Sequence, residues 1–276
     1  MQTDLLSATR DGYATLWQER QYVMRLAVIP LTLKIVFYFI AVMFEVGPER
    51  LYFTIIMLPA LFAEGWFHAQ FMRTVLTGER WPIKIEGRVD KHFDFLLARA
   101  RGILACIIAF VLIAMLKGGA MVGLTQLQIA STEQAATGML DSNPLALFLG
   151  LALIGAALWG FRLVWIYVPL VVLMPLRTYL KGVSGMMSSI QMIVIWLLSV
   201  IPLQFLLLFF ASMLLAPYGG EIAKSPAIIS FLFFSIILVG ESISRLIAAT
   251  AIASYLKPLF MAYGLRPGFA PKNEQD

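Results

Sequence analysis

Glu64 and His68 lie one helical turn apart in the stretch FAEGWFH, which is otherwise apolar. At this spacing a carboxylate and an imidazole share one face of a helix, where they could bind a metal ion together. The sequence offers no HExxH motif, no cysteine cluster and no paired acidic motif to complete such a centre. We therefore expect no metal and no cofactor.

Glu241 and Arg245 form a second pair at the same spacing, with the acid N-terminal to the base, which is the favourable order on a helix. Ser242 and Ser244 lie beside this pair and resemble a nucleophile next to a base. Serine in a membrane helix, however, commonly bonds a backbone carbonyl or permits close packing. We therefore expect a protein without enzymatic activity, and an intramembrane enzyme ranks third among the functional alternatives.

The composition indicates where these residues lie. Of 276 residues, 60% are hydrophobic and 13% are charged, against roughly 25% charged in soluble domains. Several long apolar runs predict a polytopic membrane protein, so the lipid bilayer is the expected partner. The net charge of +5 fits Lys and Arg held against anionic lipid, and we expect no nucleic acid partner.

Six apolar segments are each close to the length that crosses a bilayer. In lipid they must be helices, because an open strand would leave its backbone groups unpaired. The expected fold is therefore all-α, with six transmembrane helices in one membrane domain and no separate soluble domain. The predicted spans are about 26–46, 51–71, 102–123, 146–173, 190–215 and 227–252.

The distribution of the 21 Lys and Arg residues predicts the orientation. Most lie in the two tails and in the loops on one side, whereas the opposite loops contain only Arg50 and Lys224. Because basic loops stay in the cytoplasm, both termini should be cytoplasmic.

A mixed polar and apolar stretch precedes each odd-numbered span: DGYATLWQERQYVMR, RVDKHFDFLLARARG and RTYLKGVSGMMSSIQ. Each could form an amphipathic helix in the membrane interface. The chain would then consist of three units, each with one interfacial helix and two spans, a threefold repeat. The alternative is that any inward-facing loop beside a membrane has this composition.

The acidic and basic groups of the even-numbered spans lie at similar depths. Counted from the outer ends at 1.5 Å per residue, Glu64, Arg162 and Glu241 lie at about 20, 24 and 21 Å. We therefore expect Arg162 and Arg245 to neutralise the two acids, with His68 one turn nearer the cytoplasm.

Two lysines are assigned a different role. Lys34 and Lys117 lie nearer the ends of their predicted spans, so we expect their ammonium groups to reach the membrane interface.

Two functions are compatible with a buried charged cluster. It could be a clasp that holds helices together in a non-enzymatic component, which assembles with itself or with another membrane protein. Alternatively, it could line the polar pathway of a transporter or lipid-handling protein. Assembly is the first expectation, because two acids balance two arginines and leave no charge for a ligand.

Small residues at every fourth position predict close helix packing. They occur in the fourth and sixth predicted spans, and four spans also contain a proline that could kink the helix. The small residues are Ala152, Ala156 and Gly160, then Gly240, Ser244 and Ala248; the prolines are Pro30, Pro59, Pro169 and Pro202.

The stretch FRLVWIYVPLVVL at 161–173 resembles the Arg-Leu-x-x-x-x-x-Pro signature in the fourth span of YciC-like proteins. The same signature occurs in the membrane domain of some bacterial glycerophosphodiester phosphodiesterases. The end of the sixth span, IAATAIASYLKPL, is similar to the Ala-rich close of theirs. The resemblance implies a six-span bacterial inner-membrane protein. It implies no phosphodiesterase activity, which in that group belongs to a separate soluble domain.

Overall fold

The computed structural model describes residues 4–47, 50–82, 93–136 and 155–264. These residues form helices and turns with no strand, so the all-α class is confirmed for them. The helices are α1 (Leu5–Gln18), α2 (Arg20–Met43), α3 (Leu51–Ile56), α4 (Leu58–Thr77), α5 (Phe93–Ala136), α6 (Gly155–Leu170, with a 3₁₀ stretch at Phe161–Trp165), α7 (Leu176–Gly182), α8 (Met186–Leu215), α9 (Ala227–Tyr255) and α10 (Lys257–Ala262).

Within those ranges, four helices are long and apolar enough to cross a membrane, namely α2, α5, α8 and α9. The second predicted span, 51–71, is divided at Met57 into α3 and α4. The fourth, 146–173, lies partly outside the described residues and continues as the shorter helix α6. The prediction of six spans therefore stays a prediction.

Helix α4 is the central helix of the bundle and packs against α2 and α5. Every residue from Phe67 to Leu76 is buried. A helix buried on all sides lies in a core rather than at a surface. Its polar residues therefore contact protein instead of lipid, which explains why α4 is less apolar than the four long helices. Pro59 lies in its first turn, where the missing N–H has no helical partner to lose.

Helix α1 begins at an Asp4 cap, whose side chain accepts a hydrogen bond from the Leu6 amide at 3.1 Å. The helix packs against α9 and α8. A Cβ added at Gly12 would lie 2.9 Å from the Ile247 carbonyl oxygen and 2.9 Å from the Ala251 Cβ. The absence of a side chain at Gly12 is therefore what allows α1 to cross α9 so closely.

Tyr13 attaches α1 to α8 by donating a 2.6 Å hydrogen bond to the Ser199 carbonyl. Pro202 lies in the following turn of α8, where its ring disturbs the helical hydrogen bonds and leaves carbonyls available. Partial burial raises the pKa of the Tyr13 hydroxyl, which keeps it protonated as a donor.

The three predicted interfacial stretches differ in structure. The first forms α1 and the start of α2, with a break at Glu19, and the third forms α7 and the start of α8. The second begins outside the described residues, and from Phe93 it is continuous with α5. Helix α5 has 44 residues, about 66 Å at 1.5 Å per residue, and so extends beyond the predicted span 102–123. The threefold repeat stays a prediction.

Candidate functional site

Lys34 joins three helices through ion pairs in the middle of the bundle. Its Nζ, on α2, lies 3.1 Å from Glu64 Oε1 on α4 and 3.2 Å from Glu241 Oε2 on α9. Glu241 lies at the midpoint of α9, about 21 Å from either end at 1.5 Å per residue. These charges are therefore far from both ends of an apolar helix.

Arg245 and Ser242, both on α9, complete the arrangement. Arg245 pairs with Glu241 through Nη2, and its Nη1 lies 3.6 Å from Glu64 Oε1. The Ser242 hydroxyl donates to Glu64 Oε1 at 2.8 Å and accepts from Lys34 Nζ at 2.8 Å. We call Lys34, Glu64, Glu241 and Arg245 the charged network; its two acids and two bases are formally neutral together.

Burial makes the pairing of Lys34 with Glu64 obligatory. Lys34 and Glu64 are 4% and 1% exposed. A buried ion pair adds little net stability, but removing one partner leaves an uncompensated charge at a large cost. The network therefore specifies how α2, α4 and α9 fit together.

The structure brings Glu64, Glu241 and Arg245 together, but the second positive charge beside the two acids comes from Lys34 and not from Arg162. Lys34, expected to reach the membrane interface, is buried between the two acids. Arg162, expected to pair with Glu64, donates instead to the Val183 carbonyl at 2.5 Å. Equal depth along separate helices fixes the height of a side chain but not the direction in which it points.

Arg162 belongs to a separate contact between α6 and the segment around α7. Its guanidinium lies 4.1 Å from the centre of the Trp159 ring, a cation–π contact. Its backbone carbonyl accepts a 2.7 Å hydrogen bond from the Tyr179 hydroxyl. Burial raises the pKa of Tyr179, so this hydroxyl stays protonated and donates. Arg162 therefore joins the middle of α6 to α7 and the residue that follows it.

His68 lies beside the charged network without joining it. Its Nδ1 is 2.9 Å from the backbone carbonyl oxygen of Glu64, not from the carboxylate. Its ring centre lies 4.8 Å from that of Phe110 and 6.1 Å from that of Tyr167. In the part of the chain that the structure describes, His68 Nε2 has no hydrogen-bond partner, and no three His, Cys, Asp or Glu side chains gather as metal ligands.

The small residues of α9 lie in close helix contacts. A Cβ at Gly240 would come within 2.1 Å of the Leu207 side chain on α8, and Ala248 is fully buried. The Ser244 hydroxyl accepts a 3.2 Å hydrogen bond from Gln204 of α8. These residues occupy the interface between α8 and α9 and the core beside it.

The small residues of α6 are placed differently. Ala156 is exposed, and a Cβ at Gly160 would meet no atom within 4 Å. Ala152 lies outside the described residues. The described part of α6 therefore shows no close helix contact at these positions.

A cavity of about 470 Å³ extends from the charged network between the helices. All four residues of the network contribute to its lining. The rest of the wall is mainly aliphatic and aromatic, with a few polar side chains. The other lining residues are Tyr38, Phe53, Thr54, Met57, Leu61, Phe110, Ile113, Ala114, Lys117, Gly118, Val164, Trp165, Tyr167, Trp196 and Leu238.

A second charged cluster was missed by the sequence analysis. Glu79, just after α4, pairs with both Arg73 of α4 and Arg99 of α5. Arg73 also donates to the Val171 carbonyl at 3.1 Å, and Arg99 donates to Gln70 Oε1 at 3.0 Å. These residues flank a loop that was read only as a basic segment. Glu79, the one acid between Arg73 and Arg80 in the sequence, was the available signal.

The chain thus has the apolar helices of an integral membrane protein, with a cavity that ends at paired charges. Comparison of the sequence and structure with models of protein families, with curated proteins and with solved structures finds no match. The functional argument therefore rests on the site itself.

Proposed function

We propose that this protein binds a ligand in the intramembrane cavity, as a transporter or lipid-handling protein. The observation that supports this function is a cavity of about 470 Å³ with the charged network in its wall. Small-molecule sites in proteins typically measure about 300–1,000 Å³ and combine apolar walls with a few placed polar groups. The cavity has both properties.

The accessibility of the charged network favours ligand binding over a purely structural clasp. The side chains of Glu241 and Arg245 keep 40% and 30% of their surface accessible, although they lie halfway along α9. An assembly component needs its charges paired but needs no cavity beside them. The same network can still hold α2, α4 and α9 together while one side of it faces a ligand.

The contact between Lys34 and Ser242 raises the question of catalysis, because serine and lysine form a nucleophile and base in some hydrolases. Here Lys34 is the ammonium of two ion pairs and donates to the Ser242 oxygen instead of taking its proton. Ser242 is fully buried, and the cavity is lined by its neighbours Glu241 and Arg245. The geometry therefore supports binding better than hydrolysis.

The proposal includes a six-span protein of the bacterial inner membrane with cytoplasmic termini. Its support is the concentration of Lys and Arg in one set of loops and the four apolar helices. We also retain the resemblance to YciC-like proteins as a proposal. Its support is that Arg162 and Pro169, from the matching stretch, are both buried in α6.

Binding can be tested with fluorescent amphiphiles in lipid nanodiscs. Undecyl chains with a dansyl group at one end and a carboxylate, an amide or a quaternary ammonium group at the other are titrated into nanodiscs that hold the protein. We expect saturable energy transfer from tryptophan to dansyl for at least one probe. Absence of saturable transfer for all three, relative to empty nanodiscs, would contradict the proposed function.

A matched pair of substitutions distinguishes the cavity from the lipid-facing surface. Ala114→Phe adds a ring to the cavity wall, whereas Leu116→Phe places one at a residue that is 73% exposed. Ala114→Phe should abolish saturable binding and Leu116→Phe should preserve it. Equal binding by the two variants would show that the probes bind elsewhere.

A further inference from the structure

We propose that the ligand of this cavity is a single-chain amphiphile with an anionic head, for which Lys117 provides the positive charge. This inference rests on the proposed function, since it names the class of molecule that the same cavity accepts. Three features of the lining support it: its charge, its hydrogen-bonding groups and the shape of the apolar part.

The charge of the lining favours an anion. The charged network contains two acids and two bases, so its formal charges cancel. Lys117 also lines the cavity and makes no ion pair or hydrogen bond with any residue in the described part of the chain. Among the described residues of the wall, one positive charge is therefore not balanced, and a ligand could use it.

The hydrogen-bonding groups of the lining also favour an anionic ligand. The hydroxyls of Tyr38, Thr54 and Tyr167 make no hydrogen bond within the described ranges. The Lys117 ammonium group can only donate, and the three hydroxyls can donate. A ligand rich in acceptor oxygens would satisfy them.

One acceptor of the lining also lacks a hydrogen-bond partner among the described residues, namely Glu64 Oε2. It belongs to a carboxylate whose other oxygen already contacts Lys34 and Arg245. Among the described residues, the Glu64 charge is therefore compensated by ion pairs, whereas Lys117 makes none. Among the described lining groups that lack a hydrogen-bond partner, those that can donate therefore still outnumber this one acceptor.

The rest of the wall defines the body of the ligand. Phe53, Leu61, Phe110 and Leu238 are among the apolar side chains that surround most of the cavity. Burying an alkyl chain against them is favourable by about 0.8 kcal/mol for each CH₂. The volume of about 470 Å³ lies in the lower part of the range for small-molecule sites, which favours one chain over two.

The test compares the three dansyl-undecyl probes in nanodiscs that hold the wild-type protein or Lys117→Gln. The carboxylate should bind about tenfold more tightly than the amide, as expected for one charge-assisted hydrogen bond. In Lys117→Gln the two affinities should converge. Lys181→Gln is the matched control, because Lys181 in α7 is exposed like Lys117 but does not line the cavity.

The outcomes separate this inference from the proposed function. If all heads bind equally, or if the quaternary ammonium binds best, the cavity is a ligand site but the anion preference is wrong. If Lys117→Gln keeps the full preference, Lys117 is not its source. Phosphatidate, an anionic lipid with two chains, should leave binding of the carboxylate probe unchanged when it is added to the nanodisc. Competition by phosphatidate would contradict the proposal that the ligand has a single chain.

Discussion

At the scale of single residues, Lys34 is the side chain on which the account depends most. Its ammonium is the only group that touches Glu64, Glu241 and Ser242 together in the described ranges, and it links α2 to both α4 and α9. Truncating such a group leaves two carboxylates with less compensation, and one of them, Glu64, is only 1% exposed. The energetic consequence should be large and should depend on Glu64.

A double-mutant cycle measures that dependence. Lys34→Met should lower the free energy of unfolding by about 3 kcal/mol, the cost of stranding a buried charge. Adding Glu64→Gln should restore part of the loss, because the stranded carboxylate becomes neutral. Unfolding in mixed detergent micelles measures both effects. Strictly additive losses would contradict the ion pair.

The control cycle uses Arg162, since the sequence suggested that this residue was the partner of Glu64. Arg162→Met should destabilise the protein by removing the hydrogen bond to Val183 and the contact with Trp159. Combined with Glu64→Gln, the effects should add to within about 0.5 kcal/mol, as for sites without shared partners. A coupling as large as that of Lys34 would contradict this placement.

The residue types of the site could be found from the sequence, but not all of their pairings. Glu64, Glu241 and Arg245 stand out as charges inside apolar helices, which are costly in lipid and so must find partners. Lys34 was misassigned because a lysine near a helix end can extend to water. Only the packing of α2 against α4 and α9 shows which way its side chain turns.

At the scale of elements, α4 and α1 show how the bundle supports the site. Helix α4 is enclosed by its neighbours from Phe67 to Leu76, and Glu64, one turn earlier, is also buried. Helix α1 stabilises the half of α9 beyond the charged network, through the close crossing at Gly12 and a hydrogen bond from Ser254 to Asp11 at 2.6 Å. The placement of α9 should therefore depend on α1.

Substitution of glycines tests that dependence. Gly12→Ala should destabilise the protein by about 1–3 kcal/mol, because the new Cβ overlaps the backbone of α9 and a packed interface resists insertion. Gly119→Ala, in α5, meets no atom within 4 Å and should stabilise its helix by up to about 1 kcal/mol. In detergent, Gly12→Ala should lower the thermal unfolding temperature and Gly119→Ala should raise it. Two shifts of the same sign would contradict the close crossing.

Helix existence was easier to predict than helix boundaries. The apolar runs indicated α2, α5, α8 and α9, because lipid demands both length and hydrophobicity. The break at Met57 and the 44-residue length of α5 were not evident, since both depend on how a helix meets its neighbours. The sequence pattern alone also could not show that the small residues of α6 lie apart from a close contact.

At the scale of the whole molecule, four apolar helices surround polar groups that lipid would not tolerate. On one side of the charged network, water or a ligand in the cavity can solvate these groups. On the other side, ion pairs between side chains neutralise them. The orientation proposed from the basic loops then places the turn between α8 and α9 outside and α7 inside.

Cysteine labelling tests the orientation. Native Cys106 is fully buried, so the unmodified protein should react little. With a membrane-impermeant maleimide on intact spheroplasts, Glu221→Cys should be labelled, whereas Lys181→Cys should be labelled only after permeabilisation. The reverse pattern would invert the proposed topology, and labelling of both in intact cells would contradict α8 as a span.

The most direct test of the cavity is the same chemistry applied inside the bundle. In proteoliposomes, Ala114→Cys should react with a small charged methanethiosulfonate, because water reaches the cavity wall and allows the thiol to ionise. Leu116→Cys, two residues along α5 and facing lipid, should stay nearly unreactive. If Ala114→Cys reacts no faster than Leu116→Cys, the cavity is closed and the proposed function fails.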